Sequence, residues 1–286
     1  MCRFIAYAGN PIILDDVLYK PKNSLIRQSI HAREADEPLN GDGFGLGWYV
    51  PEIDPYPALF TSIQPAWNDR NLQYLAPKIR SNCFFAHVRA ASSGGVSILN
   101  CHPFHYHRFL FMHNGDIAEF HKIKRYLRRQ LSDEAYDWIK GSTDSEHMFA
   151  LFIDIFNQNK CHLTAEDIGG AFEETLQRIQ LLQKEQHVEG INYINAAITD
   201  GRSIVAVRYI SEKASKAPSL HFSEGSYYEY YGGVCHMRPS RAGQNGAVLV
   251  VSETLNSYKA EWQDIPVNYM LLVRDDLSTK LQPVKV

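Results

Sequence analysis

A cysteine stands directly behind the initiating methionine, in the opening sequence MCRFIAYAGN. If Met1 is removed, Cys2 carries both its thiol and a free α-amine. An α-amine titrates at about pH 8 and a free thiol at about pH 8.5, so the amine can accept the thiol proton at little cost in free energy. Methionine removal requires a small second residue, which cysteine provides. The opening therefore predicts a thiol nucleophile that carries its own general base.

Two internal stretches, FAHVRAASSGG and MHNGD, hold side chains that could bind and polarise a carbonyl substrate. Arg89 ends an apolar run, and its guanidinium could grip a carboxylate at two points or form an ordinary surface ion pair. Asn114 and Gly115 offer an amide and a backbone N–H that could stabilise a developing oxyanion. The same dipeptide is a strong signal for a hairpin turn, although no second strand clearly follows it. Both alternatives stay open for each stretch.

A third stretch, GSTDSEH, places Asp144 directly before an apolar helical pattern. Its carboxylate could hold a substrate ammonium group. The stretch also has a structural explanation, because Thr143 with Glu146 three residues later forms a capping-box pattern at a helix start.

Three other patterns favour structural roles. His102, His105 and His107 look like metal ligands, but their spacing is not that of a zinc site and no cysteine pair lies nearby, so no metal site is predicted. The stretch NGDGFGLG lacks the lysine of a phosphate loop and predicts a turn that enters a strand. The basic run KIKRYLRR predicts a solvated helix face rather than a nucleic-acid site.

The elements that must position these residues come in the order strands, helices, strands. The predicted strands are CRFIAYAG, GLGWYV, NCFFAHVRA, RFLFMHNG, INAAITD, SIVAVRYIS, SLHFSEG, AVLVVSE and YMLLVRDD. Apolar residues at helical spacing predict helices from Met148 to Phe156 and from Ile168 to Ile179, and a further helix is predicted over 117–131. Segments 51–75 and 211–246 are rich in Pro, Ser, Gly and Tyr and predict long surface loops.

Composition limits the class of protein. The chain has 286 residues, is 45% hydrophobic and carries a net charge of −3, which fits a globular protein with no overall attraction to nucleic acid or membranes. It has no apolar run near about 18 residues, and its N-terminus lacks a signal-peptide pattern. Five scattered cysteines without a CxxC pair argue against a disulfide framework. These features predict a cytoplasmic protein with reduced thiols.

Taken together and in this order, the motifs MCRF, NGDGFGLGWY, HVRA, NCHPF, HNG and TDSE resemble the class II glutamine amidotransferases, a branch of the N-terminal nucleophile hydrolases. The stretches QPAWNDRNLQYLAPKIRSNCFFAHVRA and VVSETLNSYKAEWQDIP extend the resemblance over most of the chain. They are similar to a subgroup of stand-alone γ-glutamyl hydrolases, which includes the ergothioneine-pathway enzyme and the glutathione-degradation amidotransferase-like subunit.

The resemblance implies an α+β fold, a four-layer αββα sandwich of two mainly antiparallel sheets, formed by residues 1–286 as one domain. It implies that Cys2 is the nucleophile and that Asn114 and Gly115 form the oxyanion hole. By the same resemblance Arg89 binds the substrate α-carboxylate and Asp144 its α-ammonium group. Two further pocket positions are also implied by the resemblance, Ser92 and His102. No cofactor is expected.

The implied activity is hydrolysis of a γ-glutamyl amide, in glutamine or a γ-glutamyl compound, through a γ-glutamyl thioester on Cys2 that releases glutamate. One alternative is a glutaminase subunit that delivers ammonia to a separate synthase, and another is a non-catalytic scaffold with an amidotransferase-like domain. The expected partner is a small-molecule γ-glutamyl substrate, with a synthase or peptidase subunit as a potential protein partner. Neither nucleic acid nor a membrane is expected.

Overall fold

The computed structural model describes residues 2–34, 38–91, 94–212, 217–240 and 245–286. The strands in chain order are β1 (Arg3–Ile13), β2 (Phe44–Val50), β3 (Asp54–Ser62), β4 (Arg80–Val88), β5 (Phe104–Tyr106), β6 (Phe109–Asp116), β7 (Tyr193–Thr199), β8 (Ile204–Ile210), β9 (His221–Gly225), β10 (Tyr227–Tyr231), β11 (Val234–Arg238), β12 (Ala247–Val251), β13 (Gln263–Asp264), β14 (Tyr269–Val273) and β15 (Thr279–Pro283). The α-helices are α1 (Asp15–Leu18), α2 (Leu25–Ile30), α3 (Arg70–Leu75), α4 (Phe120–Gln130), α5 (Asp133–Trp138), α6 (Asp144–Gln158) and α7 (Ala165–Glu185).

Most of the strands form two antiparallel sheets. The first sheet has the order β13-β9-β12-β1-β4-β2-β3, and the second has the order β15-β14-β8-β7-β6-β5. The β10 and β11 strands pair with each other as a separate ribbon. The N-terminal strand β1 is central in the first sheet, between β4 and β12. Both edges of β1 are therefore hydrogen-bonded to neighbouring strands. This pairing fixes the position of Cys2, the residue directly before β1.

The described residues form three apolar cores, and one of them fills the space between the two sheets. Successive side chains of a strand point to opposite faces, so alternate residues of β1 enter different cores. Phe4 and Ala6 face the second sheet, where they pack with Leu110 and Met112 of β6. Tyr7, on the opposite face of β1, packs in the core that includes residues of α1, α2 and α3.

The third core lies outside the second sheet, against the long helices α6 and α7. Phe111 of β6 stacks on Phe149 of α6, with 5.0 Å between the ring centroids. Phe172 of α7 lies in the same cluster, 6.3 Å from Phe111. The helices predicted around Met148 and Ile168 are therefore confirmed, and the order helices, sheet, sheet, helices confirms the predicted four-layer αββα architecture.

The two predicted loop segments are partly wrong. Segment 51–75 contains β3 and α3, and segment 211–246 contains β10 and β11 in addition to β9, which the predicted strand SLHFSEG includes. Strand β3 is an edge strand with Pro55 and Pro57, and an edge tolerates proline because its outer N–H groups need no ladder partner. The β10–β11 ribbon turns at Gly232 and Gly233, which both have positive φ angles (61° and 83°) and thus suit a tight hairpin turn.

Among the described residues, the helices are too short or too polar to cross a membrane.

Candidate active site

The thiol of Cys2 lies at the backbone of the segment that follows β4. Cys2 precedes β1 directly and is half-buried, and its Sγ is 3.3 Å from both the N and the O of Ala90. Alternation along β1 puts Cys2 on the same face as Phe4, toward the space between the sheets. Burial raises the pKa of the thiol, and the hydrogen bond with Ala90 and the charge of Arg89 oppose that shift.

Arg89, next to Ala90, is buried and held by two loops. Its backbone N donates to the Gly43 carbonyl (2.8 Å), and its own carbonyl accepts from the N of Asp42 (3.0 Å). Its guanidinium donates to the carbonyls of Gly94 and Gly95, at 3.2 and 3.4 Å. The stretch NGDGFGLG is therefore a turn that enters β2, as predicted, and it also supports the backbone of Arg89.

The amide of Asn114 connects the two sheets near Cys2. Its Oδ1 lies 3.1 Å from His87 Nε2, and its Nδ2 donates to Ser252 Oγ at 2.9 Å. His87 pairs with Phe4 across β4 and β1, and Phe4 N donates to Ser252 Oγ on the other side (3.0 Å). Asn114 is thus held opposite Phe4, two residues along the chain from Cys2.

His87 fixes which way that amide points. The ring is fully buried, and burial together with the nearby Arg89 charge lowers the pKa of His87 to about 3. The ring is therefore neutral, and the orientation in which the Asn114 oxygen faces it corresponds to the tautomer with the proton on Nε2. The nitrogen of the Asn114 amide then faces Ser252. Its second N–H can donate a hydrogen bond to a substrate oxygen.

Gly115 lies inside β6 rather than in a turn, so the alternative prediction of a hairpin turn at Asn114-Gly115 is wrong. It pairs with Ile194 of β7 in the sheet. Its φ angle is 129°, and a Cβ at this position would lie 1.8 Å from the Tyr193 carbonyl oxygen. Only glycine fits this close approach of two backbones.

Asp144 is the first residue of α6 and is tied to the chain that follows Gly115. Its Oδ2 accepts from the N of Ile117 at 2.8 Å, and its Oδ1 accepts from the N of Ser145 at 2.9 Å. The carboxylate is buried, with 3% exposure. Backbone N–H groups on both sides therefore hold the carboxylate in place at the start of α6.

The predicted capping box at this helix start is half formed. Thr143 Oγ1 accepts from the N of Glu146 (3.2 Å), as in a capping box. The side chain of Glu146 does not complete the pattern with Thr143; it accepts instead from the N of Lys140 and of Gly141, both at 2.8 Å. The side-chain cap of α6 is therefore Thr143.

The remaining predicted pocket positions have different outcomes. His102 is buried with its ring 4.3 Å from the His87 ring and 4.6 Å from the Phe104 ring, and burial lowers its pKa well below the usual value. It is thus a neutral ring that packs behind His87. His105 and His107 are exposed on the strand and turn that follow. Ser92 lies outside the described residues.

Sequence reasoning missed three residues of this region. His87 and Ser252 hold Asn114, and Glu253 forms a buried ion pair with Arg3 (Nε to Oε1, 3.1 Å; both side chains 1% exposed). His87 lies in the highlighted FAHVRA stretch, two residues after the inward-facing Phe85, so strand alternation could have found it. Nothing local to the predicted strand AVLVVSE indicates that Ser252 contacts Asn114.

The groups described above differ in chemistry and come from different elements. Sheet one contributes a thiol beside a buried arginine, sheet two contributes an amide and a glycine with an unusual backbone, and α6 contributes a buried carboxylate. Two facing antiparallel sheets with outer helices are the layers of the N-terminal nucleophile hydrolase type of fold, and Cys2 stands directly before a central strand.

The chain belongs to the class-II glutamine amidotransferases: the sequence profile of that family, described as "Glutamine amidotransferases class-II", matches residues 22–283. The chain is 40% identical over 295 residues to the "Probable glutamine amidotransferase DUG3" of Saccharomyces cerevisiae, a match that covers 96% of this chain and 82% of that protein. It is 34% identical over 117 residues to the "Gamma-glutamyl-hercynylcysteine sulfoxide hydrolase" of Mycolicibacterium smegmatis, which covers 40% of this chain and 51% of that protein.

Solved structures agree with this family. A glutamine aminotransferase class-II domain protein from Silicibacter pomeroyi superposes with a TM-score of 0.67 and 27% identity, covering 99% of this chain and 100% of that chain. The glutamine phosphoribosylpyrophosphate amidotransferase of B. subtilis superposes with a TM-score of 0.61 and 14% identity, covering 99% of this chain and 49% of that chain. The second likeness concerns the fold alone.

Proposed function

We propose that this chain, residues 1–286 acting as one domain, hydrolyses a γ-glutamyl amide with Cys2 as the nucleophile once Met1 is removed. The observation that carries the proposal is the position of the thiol. Cys2 Sγ lies 3.3 Å from the backbone of Ala90, directly beside the buried Arg89. Strand alternation puts Cys2 on the same face as Phe4, and Asn114 and Phe4 both hydrogen-bond to Ser252 Oγ. Membership in the class-II glutamine amidotransferases supports the same chemistry.

In the first step, the α-amine of Cys2 takes the thiol proton and the sulfur attacks the γ-carbonyl carbon. A C–S bond forms and the carbonyl oxygen becomes an oxyanion. The free N–H of the Asn114 amide and the backbone N–H of Gly115 stabilise that charge. Because the amide orientation is already set by His87 and Ser252, little reorganisation is needed as the charge develops.

In the second step, the tetrahedral intermediate collapses. The Cys2 ammonium gives its proton to the leaving nitrogen, the C–N bond breaks, and a γ-glutamyl thioester remains on the sulfur. Water then adds to the thioester with the α-amine as base, the C–S bond breaks, and glutamate leaves. The thiol and the amine return to their starting states, so the cycle consumes only water.

The two ends of the glutamyl group match two buried charges. The α-carboxylate is the partner of the Arg89 guanidinium, which the carbonyls of Gly94 and Gly95 orient. The α-ammonium group is the partner of Asp144, whose carboxylate is oriented by the N–H groups of Ile117 and Ser145. Ser92 and His102 complete the pocket in this proposal. The reaction requires no cofactor, and the proposed location is the cytoplasm.

The leaving group and the protein partner are the finer parts of the proposal. The names of the relatives include a probable glutamine amidotransferase and a γ-glutamyl-hercynylcysteine sulfoxide hydrolase. We propose a γ-glutamyl compound as substrate, cleaved without transfer of the nitrogen to another molecule. The protein partner proposed with it is a synthase or peptidase subunit.

The test is release of glutamate from glutamine and from a chromogenic γ-glutamyl anilide by the purified chain. Cys2→Ala should abolish turnover while the melting temperature stays unchanged. Cys161→Ala, which removes a half-buried thiol after α6, is the matched control and should retain full activity. Undiminished turnover in the Cys2→Ala variant would overturn the assignment.

A further inference from the structure

The outer face of α4 forms a basic groove with α5. Four cationic side chains line it, Lys124, Arg125, Arg128 and Arg129, together with His121 and with Tyr136 of α5. The groove has a volume of about 510 Å³. The sequence predicted a solvated helix face here. The structure shows instead a groove that four cationic side chains line.

Within the described ranges the Glu146 carboxylate acts electrostatically on Lys124 and Arg128, without forming an ion-pair contact with either. None of the four forms an ion pair there, whereas Lys122 on the same helix pairs with Glu119 at 2.7 Å. They also stand as like-charged pairs four residues apart, Lys124 with Arg128 and Arg125 with Arg129, and such pairs destabilise a helix. Acidic residues outnumber basic ones in the chain, 32 to 29, so this local excess of positive charge is not a reflection of composition.

Two of the cations are held in place by the body of the protein. Arg128 Nε donates to His147 Nε2 at 2.9 Å, and its guanidinium lies 5.6 Å from the Tyr136 ring centroid. Burial lowers the pKa of His147 to about 4, so the ring is neutral and accepts that hydrogen bond. Lys124 Nζ donates to the Ser142 carbonyl at 3.4 Å. A cation that is already oriented loses less entropy when it binds a ligand.

We propose that the groove between α4 and α5 is a binding site for a compact, multiply charged anion of the polyphosphate class. Arginine forks and a lysine ammonium suit phosphate oxygens, and four of them in one groove match three to four negative charges. A long polyanion fits less well, because the neighbouring helix presents exposed acids that would repel its continuation, Asp133, Glu134 and Asp137.

This anion site shares no residue with the proposed active site. A failure of one proposal therefore does not bear on the other. Arg128 nevertheless contacts His147, whose Nδ1 donates to the carbonyl of Thr143 at 2.7 Å, and Thr143 precedes Asp144. The groove is therefore linked by hydrogen bonds to the start of α6.

The test is isothermal titration of the full chain with inorganic tripolyphosphate at fixed ionic strength. The variant is Arg125→Gln/Arg129→Gln, both exposed positions whose replacement leaves the core intact. The control is Lys122→Gln, which removes one positive charge from the same helix outside the groove. We expect saturable 1:1 binding that weakens by at least about tenfold in the double variant and changes by less than about twofold in the control.

Several outcomes would overturn the proposal. Absence of saturable tripolyphosphate binding is one such outcome. Another is a Lys122→Gln control that weakens binding as much as the groove variant, because this would indicate a diffuse electrostatic field rather than a defined site. Tighter binding of a short single-stranded RNA than of tripolyphosphate, lost in the same double variant, would replace the compact anion with a polymer. Adenosine triphosphate titrated alongside tripolyphosphate distinguishes a nucleotide from a bare phosphate chain, and either source supports the site.

Discussion

His87 Nε2 and Asn114 Oδ1, 3.1 Å apart, join the two sheets at the level of Phe4. The contact is buried, with each side chain 1% exposed. It fixes the orientation of an amide that can otherwise rotate by half a turn with little cost, since its oxygen and nitrogen have nearly the same shape. The donor of the proposed oxyanion hole is thus held in place by a buried histidine.

Replacing His87 by Phe should therefore lower kcat about tenfold or more with little change in KM. The loss comes from an Asn114 amide that is no longer held for the transition state. His87→Gln keeps a donor for Asn114 Oδ1 and should recover part of the rate. Steady-state kinetics on a γ-glutamyl substrate measures both. If His87→Phe and His87→Gln lower kcat equally and also lower the melting temperature equally, the role of His87 is purely structural.

Arg89→Lys should raise KM for a γ-glutamyl substrate about tenfold, because a lysine keeps the charge but cannot replace a fork held by two carbonyls. The matched control is Arg80→Lys at an exposed site on β4, which should leave KM unchanged. Initial rates across a range of substrate concentrations separate the two. An unchanged KM in Arg89→Lys would exclude Arg89 as the carboxylate partner.

Gly115→Ala should destabilise the protein by at least about 2 kcal/mol, because the new Cβ meets the Tyr193 carbonyl at 1.8 Å and φ is 129°. Gly170→Ala is the control. It lies in α7 with open space around it, and alanine there should stabilise by about 0.5–1 kcal/mol through helix propensity. Urea unfolding followed by circular dichroism reports both changes. Similar stabilities for the two variants would contradict the described backbone of β6.

The ion pair of Arg3 and Glu253 gives a prediction about stability. Both side chains are 1% exposed, and Glu253 also accepts from the N of Arg33 (3.0 Å) and of Glu34 (3.0 Å). Glu253→Gln should destabilise by about 3 kcal/mol, because it leaves a buried guanidinium without its countercharge. The double variant Arg3→Met/Glu253→Met should be less destabilised than the sum of its single variants. Strict additivity in denaturant unfolding would show that the two residues do not interact.

The four layers could be predicted because the strands and helices carry clear hydrophobic periods. Phe4, Ala6 and Ala8 alternate with Ile5 and Tyr7 in β1, and each set enters a different core. Strand β3 could not be predicted in this way. It is mostly exposed at the sheet edge, and its two prolines look like loop residues until the sheet order is known.

The proposed site could be predicted as a set of residues but not as an arrangement. Cys2, Arg89, Asn114 and Asp144 stand in recognisable motifs, whereas the partners that orient them come from distant parts of the chain. Ser252, which holds the Asn114 amide, is 138 positions away in sequence. Such a contact depends on the sheet register, and short-range patterns contain no information about it.

The central claim is that Cys2 becomes an N-terminal nucleophile, and an intact-mass measurement tests it most directly. The native purified protein is weighed with and without a diazo-ketone analogue of glutamine, and the modified residue is located by peptide mapping. We expect loss of Met1 and a single covalent adduct on Cys2. A protein that retains Met1 and takes up no adduct would contradict it and would favour the non-catalytic scaffold.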